Sequence, residues 1–539
     1  MIGIIFLSYI TSVLCAGGPM VTLPDGPIEG LLVKTLRNKL DCYSYIGIPY
    51  AAPPVGKLRF QAPQPVAPWK STFMATDNKK ICWQISSKVH LPQDEDCLTL
   101  NVYTPAKPGE SKGLPVIVSI YGGSFTHGFA SVGPNAGSNY VEAGVILVTF
   151  NYRVGPFGFL STGDEVIRGN MGIKDQLHAL KWVQRNIHLF GGDPQKVTIH
   201  GQSAGSASVT YHILSPASKG LFRAAIANSG SAIDNWANIN GSALHIARGV
   251  ARTIKSSMGW NSTPRQIYDL LMSVDAETIH STGKYYAGFA PVVEAEHDGA
   301  FITESMYELV KTGRFSRVPI MIGFNSEEYI SLAKNPAAVA SLAKKYDDNP
   351  ITLVPADMNA DPNLKSKIGS TIKAIYTGGA SFAESGGAPV RVRSDDAFIR
   401  GTIRFAQLMA QYADVYMYQF SYHGILGRNN LTCEGCGRVE HGEDGRYLYS
   451  GDLSKLTPSD AKTVQRYTGF FINMAKNLNP TPRKEELNQN IIWPKLIPAN
   501  LNYLDIDENL SIQTNPRNGT YKKWVAVYDK YAQEPLLSY

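Results

Sequence analysis

The sequence predicts an α/β fold: a central, mostly parallel sheet with helices on both faces and large insertions. Three observations carry this. Short β-branched runs alternate with helical stretches along the chain. The runs are continuously apolar, as strands covered on both faces must be. Several of them lead straight into glycine-rich turns.

The elements follow in order. Residues 116–120 (VIVSI) form a strand leading to Gly122 and Gly123, and 145–150 (VILVTF) form the next. A helix is predicted from the apolar positions Leu177, Leu180, Val183 and Ile187, stopped by the GGDP at 191–194. Residues 196–200 return to strand and run into Gly201-Gln202-Ser203-Ala204-Gly205. Further strands are expected at 224–228, 319–323 and 415–420, with a late helix marked by Val464, Tyr467, Phe470, Phe471 and Met474. Stretches around 331–400 and 425–460 read as insertions over the sheet. No Pro- or Ser-rich linker divides the chain, so 18–539 is expected to be one domain.

At 539 residues, 44% hydrophobic and 18% charged, the composition is globular. The net charge of +6 is scattered rather than gathered into basic runs, which argues against a nucleic-acid partner. The apolar stretch 2–16, followed by small residues, predicts a secretory signal over 1–17. No later segment has the ~20 uninterrupted apolar residues of a membrane span, and the C-terminal residues lack the apolar tail of a lipid-anchor signal. Export without a membrane anchor is the expectation. Five Asn-x-Ser/Thr sequons, at Asn240, Asn261, Asn430, Asn509 and Asn518, are glycosylation candidates. Six cysteines are present; removal of Cys15 with the signal would leave an odd number.

The residues that carry chemistry lie at strand ends. Gly201 to Gly205 fits G-x-S-x-G, in which a serine nucleophile, here Ser203, sits on a strained strand-to-helix turn that needs small neighbours. Acyl transfer builds negative charge on a carbonyl oxygen, so donors must already point at it. The backbone N–H groups of Gly122, Gly123 and Ala204 are the expected oxyanion hole. A base is expected late in the chain, in the order serine, acid, histidine. His441, on a loop beyond 415–420 and flanked by small and charged residues, has the best setting. The acid belongs just past strand 319–323, where Glu327 and Glu328 compete and periodicity does not choose between them.

These segments resemble the type-B carboxylesterase and cholinesterase family, with its α/β-hydrolase fold, and look most like the insect esterases. The resemblance runs over nearly the whole mature chain through Gly47-Ile48-Pro49-Tyr50-Ala51, Glu95-Asp96-Cys97-Leu98, Asn151-Tyr152-Arg153-Val154-Gly155, Gly169-Asn170-Met171-Gly172, Phe190-Gly191-Gly192-Asp193-Pro194 and the serine elbow. It implies that Glu328, the second acid of its pair, completes a triad with Ser203 and His441, and that Glu327 is a neighbour without a direct role. It also implies a Cys82–Cys97 disulfide at the rim of the gorge and a structural Arg59–Glu95 ion pair. Trp236 and Phe289 match positions walling the acyl pocket, the plainer reading being core aromatics.

The chain also departs from the family. Tyr121 stands where many relatives have His, and no cysteines stand near 250–265 for the second family disulfide. Cys433 and Cys436 precede His441 instead; a local disulfide is expected, with Cys42 as rival partner. A zinc site would need four ligands, and there is no second pair. Choline-ester hydrolases of the family place a glutamate before the serine and a tryptophan within the first disulfide loop. Here Gln202 is neutral, and Trp83 adjoins the first cysteine. The resemblance thus implies a secreted serine hydrolase acting on small neutral carboxylic esters by an acyl-enzyme, without metal or cofactor. The alternatives are a catalytically inactive adhesion module of the same fold and a lipase.

Overall fold

The computed structural model describes residues 17–539 except 79, 85–90, 131–132, 240–242, 283–287, 357 and 428. The expected signal segment, apart from Gly17, and the sequon at Asn240 lie outside the described residues. Among the described residues, eleven strands form one sheet. In chain order they are β1 (Leu31–Lys34), β2 (Asp41–Pro49), β3 (Thr99–Thr104), β4 (Leu114–Ile120), β5 (Ile146–Phe150), β6 (Gly192–Gln202), β7 (Ala224–Asn228), β8 (Ile320–Asn325), β9 (Val415–Phe420), β10 (Tyr503–Ile506) and β11 (Ser511–Gln513). Their spatial order is β1-β2-β3-β5-β4-β6-β7-β8-β9-β10-β11. Pairing is parallel from β5 to β10 and antiparallel at both edges.

Side-chain alternation explains the continuous apolar runs. Val116, Val118 and Ile120 of β4 enter one core and Ile117 the other; Ile146, Val148 and Phe150 of β5 part from Leu147 in the same way. Helices α1 (Met171–Asn186) and α2 (Ala204–Leu214) cover the first face. The short α3 (Asp444–Tyr449) and the long α4 (Pro458–Asn477) cover the second, α4 through Val464, Tyr467, Phe470, Phe471 and Met474. Strands β7 and β9 have the expected bounds. β6 runs longer at both ends than expected, with an irregular register between Gly192 and Val197. The GGDP segment therefore opens a strand as well as ending a helix: Ile187–Phe190 tighten into a 3-10 turn, which Gly191 closes at φ 82°.

The strand order places the site. β5 lies on one side of β4 and β6 on the other, so the chain reverses direction across the sheet at β4. Clefts form at the carboxyl ends of strands beside such a reversal. Gly201 pairs with Ile120 there, which brings the ends of β4 and β6 together. A buried ion pair fixes α1 beneath them: Arg153 meets Asp175 at 2.8 Å and 2.7 Å through Nε and Nη2. Arg59 and Glu95 form a second two-pronged pair, at 2.7 Å and 2.6 Å.

Cys82 is bonded to Cys97 and Cys433 to Cys436, while Cys42 is a buried free thiol. Asn261, Asn430, Asn509 and Asn518 are all exposed. No described helix is long and apolar enough to cross a membrane.

Burial pushes the Cys42 thiol up to about 11. At pH 8 it is protonated and walled off, so iodoacetamide should leave it unmodified in the native protein and alkylate it in guanidinium. Non-reducing peptide mapping should recover it as a lone thiol; Cys42 linked to Cys433 or Cys436 would contradict this pairing.

Candidate active site

β6 passes directly into α2, and Ser203 is the hinge between them. Its backbone holds φ 59° and ψ −125° as the N-cap of the helix. Two hydrogen bonds grip it there: Ser203 N donates to Asn228 O (2.8 Å), and Ala207 N donates to Ser203 O (2.9 Å). The turn is tight enough that its glycines have no substitutes. A Cβ on Gly201 would lie 2.1 Å from Gly205 O, and one on Gly205 would lie 2.1 Å from Ile120 O. Ser203 itself is 6% exposed.

The loop after β4 lies against this elbow. A Cβ on Gly122 would come within 2.3 Å of Gln202 O and 2.9 Å of Ser203 Cβ. The chain then takes three left-handed residues in succession, Gly123 (φ 123°), Ser124 (φ 54°) and Phe125 (φ 57°). Curled backbone of this kind gathers N–H groups into a concave anion site. Ala204 is the first residue of α2, where an N–H has no partner inside its own helix. Gly122 is thus brought against Ser203, with Gly123 next to it in the loop and Ala204 opening α2 directly after the serine.

The loops after β8 and β9 are zipped together beside the elbow. Glu327 N donates to Val439 O and His441 N to Glu328 O, each at 3.1 Å. Ser326 Oγ accepts from Arg438 N and Val439 N at 3.2 Å. This sets His441 Nδ1 2.7 Å from Glu328 Oε2, while Glu328 Oε1 accepts from Asn325 N at 2.7 Å. The Glu328 side chain is fully buried; that of His441 is 25% exposed. On the far side of the ring, Gln202 Nε2 lies 3.2 Å from His441 Nε2. An amide N–H there needs a lone pair on Nε2, which puts the ring proton on Nδ1, facing Glu328. Among the described residues, the hydrogen bond to Nε2 comes from Gln202 and not from the Ser203 hydroxyl.

Glu327 faces the other way. It accepts from Arg517 Nη1 (3.2 Å) and Nη2 (3.3 Å) and from Gly437 N (3.1 Å). Arg517 also holds Asp395 at 2.8 Å. The carboxylate expected to have no direct role is therefore the anchor of a buried ionic brace.

One neighbour, Phe398, carried no sequence signal. Phe398 stacks on the His441 ring with centroids 4.1 Å apart, and Trp236 packs on Phe398 at 5.4 Å. Trp236 thus stands one ring away from the histidine, while Phe289 is buried within the first core at 2% exposure. Asp444 collects Asn325 Nδ2 (3.2 Å), Asn228 Nδ2 (3.1 Å) and Tyr467 OH (2.8 Å) below the histidine loop. Burial raises its carboxyl above the usual range. Among the described residues, no group of three or more His, Cys, Asp and Glu side chains is arranged to hold a metal ion.

Comparison with known proteins agrees with this architecture. The profile described as "Carboxylesterase family" matches residues 17–524. The chain is 34% identical to a juvenile hormone esterase of Tribolium castaneum over 89% of this chain and 86% of that one. It is 32% identical to a carboxylic ester hydrolase of Bombus ignitus over 94% and 93%. The crystal structure of juvenile hormone esterase from Manduca sexta, with OTFP covalently attached, superposes with a TM-score of 0.82 at 28% identity, covering 95% of this chain and 99% of that one.

The two adjacent glutamates separate by experiment. Glu328→Gln should lower ester turnover by about 10³–10⁴-fold with the fold intact, because an amide no longer holds the ring proton on Nδ1. Glu327→Gln should instead cost about 1.5–3 kcal/mol of stability by removing one of the two carboxylates that pair with Arg517, Asp395 remaining, with little change in turnover per folded molecule. Thermal unfolding and kcat measured on both variants decide the matter; the reverse ranking would move the acid by one residue.

Proposed function

The chain belongs to the carboxylesterase family and is a carboxylic ester hydrolase, and from that premise we propose that it is an exported enzyme that cleaves neutral esters through an acyl-enzyme on Ser203. The observation that carries this reading is the 2.7 Å Glu328–His441 pair, on two loops zipped together at the Ser203 elbow. The first half-reaction starts with the ester carbonyl beside Gly122, Gly123 and Ala204. His441 Nε2 accepts the Ser203 proton while Oγ attacks the carbonyl carbon, and Glu328 stabilises the imidazolium that forms. The backbone donors take up the charge on the oxyanion. His441 then protonates the leaving alcohol, and the same base activates water to release the acid. The covalently attached ligand of the Manduca sexta neighbour is what attack by an enzyme side chain would leave behind.

Substrate charge follows from what lines the approach. Gln202 puts a neutral amide where a carboxylate would attract a cation, and Trp83 adjoins the Cys82 end of its loop, tilted against His280 at 5.3 Å. A quaternary ammonium group would forgo a cation–π partner as well as a charge, about 2 kcal/mol when desolvated. Trp236 and Phe398 suit an apolar acyl group. Hormone, odorant and xenobiotic esters all fit that chemistry, and the relatives named as juvenile hormone esterases favour the first. Export is supported by the apolar leader, by two disulfides and by four exposed sequons.

Ser203→Ala should abolish hydrolysis of naphthyl or alkyl acetates while leaving thermal unfolding unchanged; turnover near the wild-type rate would overturn the proposal. Acetylthiocholine should be at least about tenfold poorer in kcat/KM than an uncharged thioester of the same acid, the ratio that ~1.4 kcal/mol produces. Equal values would mean that other residues form a cation site.

A further inference from the structure

The Cys433-Glu434-Gly435-Cys436 segment stands immediately before the histidine loop, and the chemistry at Ser203 makes no use of it. Its two cysteines are half-buried, whereas Cys82 and Cys97 are 2% and 1% exposed. They stand 3 positions apart in sequence, against 15 for the other pair. So small a ring removes little entropy from the unfolded chain, and its bond acts locally more than on global stability. What it closes is a β-turn, in which Cys436 N donates to Cys433 O at 3.1 Å and Gly435 is left-handed at φ 69°.

Two supports of His441 start from this turn. The first is the zip between the loops after β8 and β9, which begins at the residue next to Cys436. Gly437 N donates to Glu327 Oε2 at 3.1 Å, and a Cβ on Gly437 would lie 2.5 Å from Ser326 O. The second is the helix Ala388–Ser394, whose preceding residue Gly387 rests on the disulfide. Gly387 N donates to Glu434 O at 3.2 Å, and a Cβ there would lie 2.4 Å from Cys436 Sγ and 2.8 Å from Cys433 Sγ. That helix runs straight into a π turn at Asp395–Ile399, which brings Asp395 to Arg517 and Phe398 to the face of the His441 ring. The disulfide therefore joins the backbone that carries the histidine to the helix that stacks on it. Among the described residues, 421–443 hold no helix or strand, so contacts of this kind set the position of the loop.

We propose that the Cys433–Cys436 disulfide positions His441, and that a dithiol lowers ester turnover by reducing it; this rests on His441 being the base of the reaction above. In the exchange, one thiolate of the dithiol attacks a sulfur of the pair and its second thiolate resolves the mixed disulfide. Two electrons pass to the protein, the dithiol leaves as a cyclic disulfide, and its two protons end on Cys433 and Cys436. Two thiols cannot stay at bonding distance, and Gly387 blocks withdrawal on its side. The turn then opens away from the helix and loosens the start of the zip. A misplacement of about 1 Å at the base can cost about 10²-fold in rate, because proton transfer needs hydrogen-bond reach.

Selective reduction of the native enzyme tests this. Dithiothreitol at pH 8, well below the unfolding temperature, followed by iodoacetamide, should label Cys433 and Cys436 and leave Cys42, Cys82 and Cys97 unlabelled. Reduced but unlabelled enzyme, freed of reductant under argon, should hydrolyse a naphthyl ester with kcat at least about fivefold lower and KM within about twofold. Its circular dichroism should be unchanged, and reoxidation should restore kcat. A bond that served folding alone would lower the unfolding temperature and leave kcat per folded molecule as it was. The double variant Cys433→Ala with Cys436→Ala should show the same low kcat and no further response to dithiothreitol; if it does not fold, the reduced wild-type enzyme decides by itself. Unchanged kcat in fully reduced enzyme, or no labelling of the pair in the native state, would refute the proposal. Full turnover in His441→Gln would instead refute the reading of His441 as the base.

Discussion

Ser203 holds φ 59° and ψ −125°, a backbone conformation that costs a non-glycine residue on the order of 1–3 kcal/mol, and the parallel sheet is what keeps it there. β6 is clamped on both sides, Gly201 against Ile120 of β4 and Gln202 against Asn228 of β7, so the strand cannot relax when the chain turns sharply into α2. The turn presents the serine side chain at the end of the sheet and leaves the first N–H groups of α2 facing the same space. It also sets the neighbours: only hydrogen fits on the α-carbons of Gly201 and Gly205, where a Cβ would stand 2.1 Å from a carbonyl oxygen.

The histidine and its acid depend on the same sheet one step further along. β8 and β9 run parallel to β7, and their following loops meet because the strands end at the same level. Once the loops are zipped through Ser326, Glu327, Glu328, Val439 and His441, the backbone of the histidine is fixed, and its hydrogen bond to Glu328 holds the ring. Asp444 secures the arrangement from below by linking β7, β8 and α4 through Asn228, Asn325 and Tyr467. Replacing it would loosen three elements at once without touching a reacting atom.

This division explains what the sequence could reveal. The strands were legible because a buried parallel strand must be apolar on both faces, and the elbow because its small residues fall in a short fixed spacing. Of its glycines, only Gly201 is forced by a neighbour a few residues on; Gly205 is forced by Ile120 across the sheet. Glu327 and Glu328 were not separable by pattern, since adjacent side chains at the end of a strand point in opposite directions. One reaches His441 and the other Arg517, almost two hundred residues away. Phe398 was hidden inside a stretch that reads only as an insertion, yet it stacks on the histidine. The Asp444 network joins residues more than two hundred positions apart, a separation over which periodicity carries no information. Left-handed Ser124 and Phe125 were equally hidden, because no residue type announces φ above zero there as glycine does at Gly123.

On the proposed acyl-enzyme reading, Gln202 ties the chemistry of the base to the choice of substrate. A general base must begin neutral, with its lone pair on Nε2. An amide that donates to Nε2 uses that lone pair, so the ring proton of this tautomer sits on Nδ1, facing Glu328. A carboxylate at the same position would accept rather than donate, drawing a proton onto Nε2 and favouring the imidazolium, while also attracting cations to the mouth of the site. Neutral Gln202 removes both effects together. On the reading proposed above, the single residue before the serine would therefore select the tautomer that serves as base and turn the approaching substrate toward uncharged esters, and both consequences follow from its having no charge.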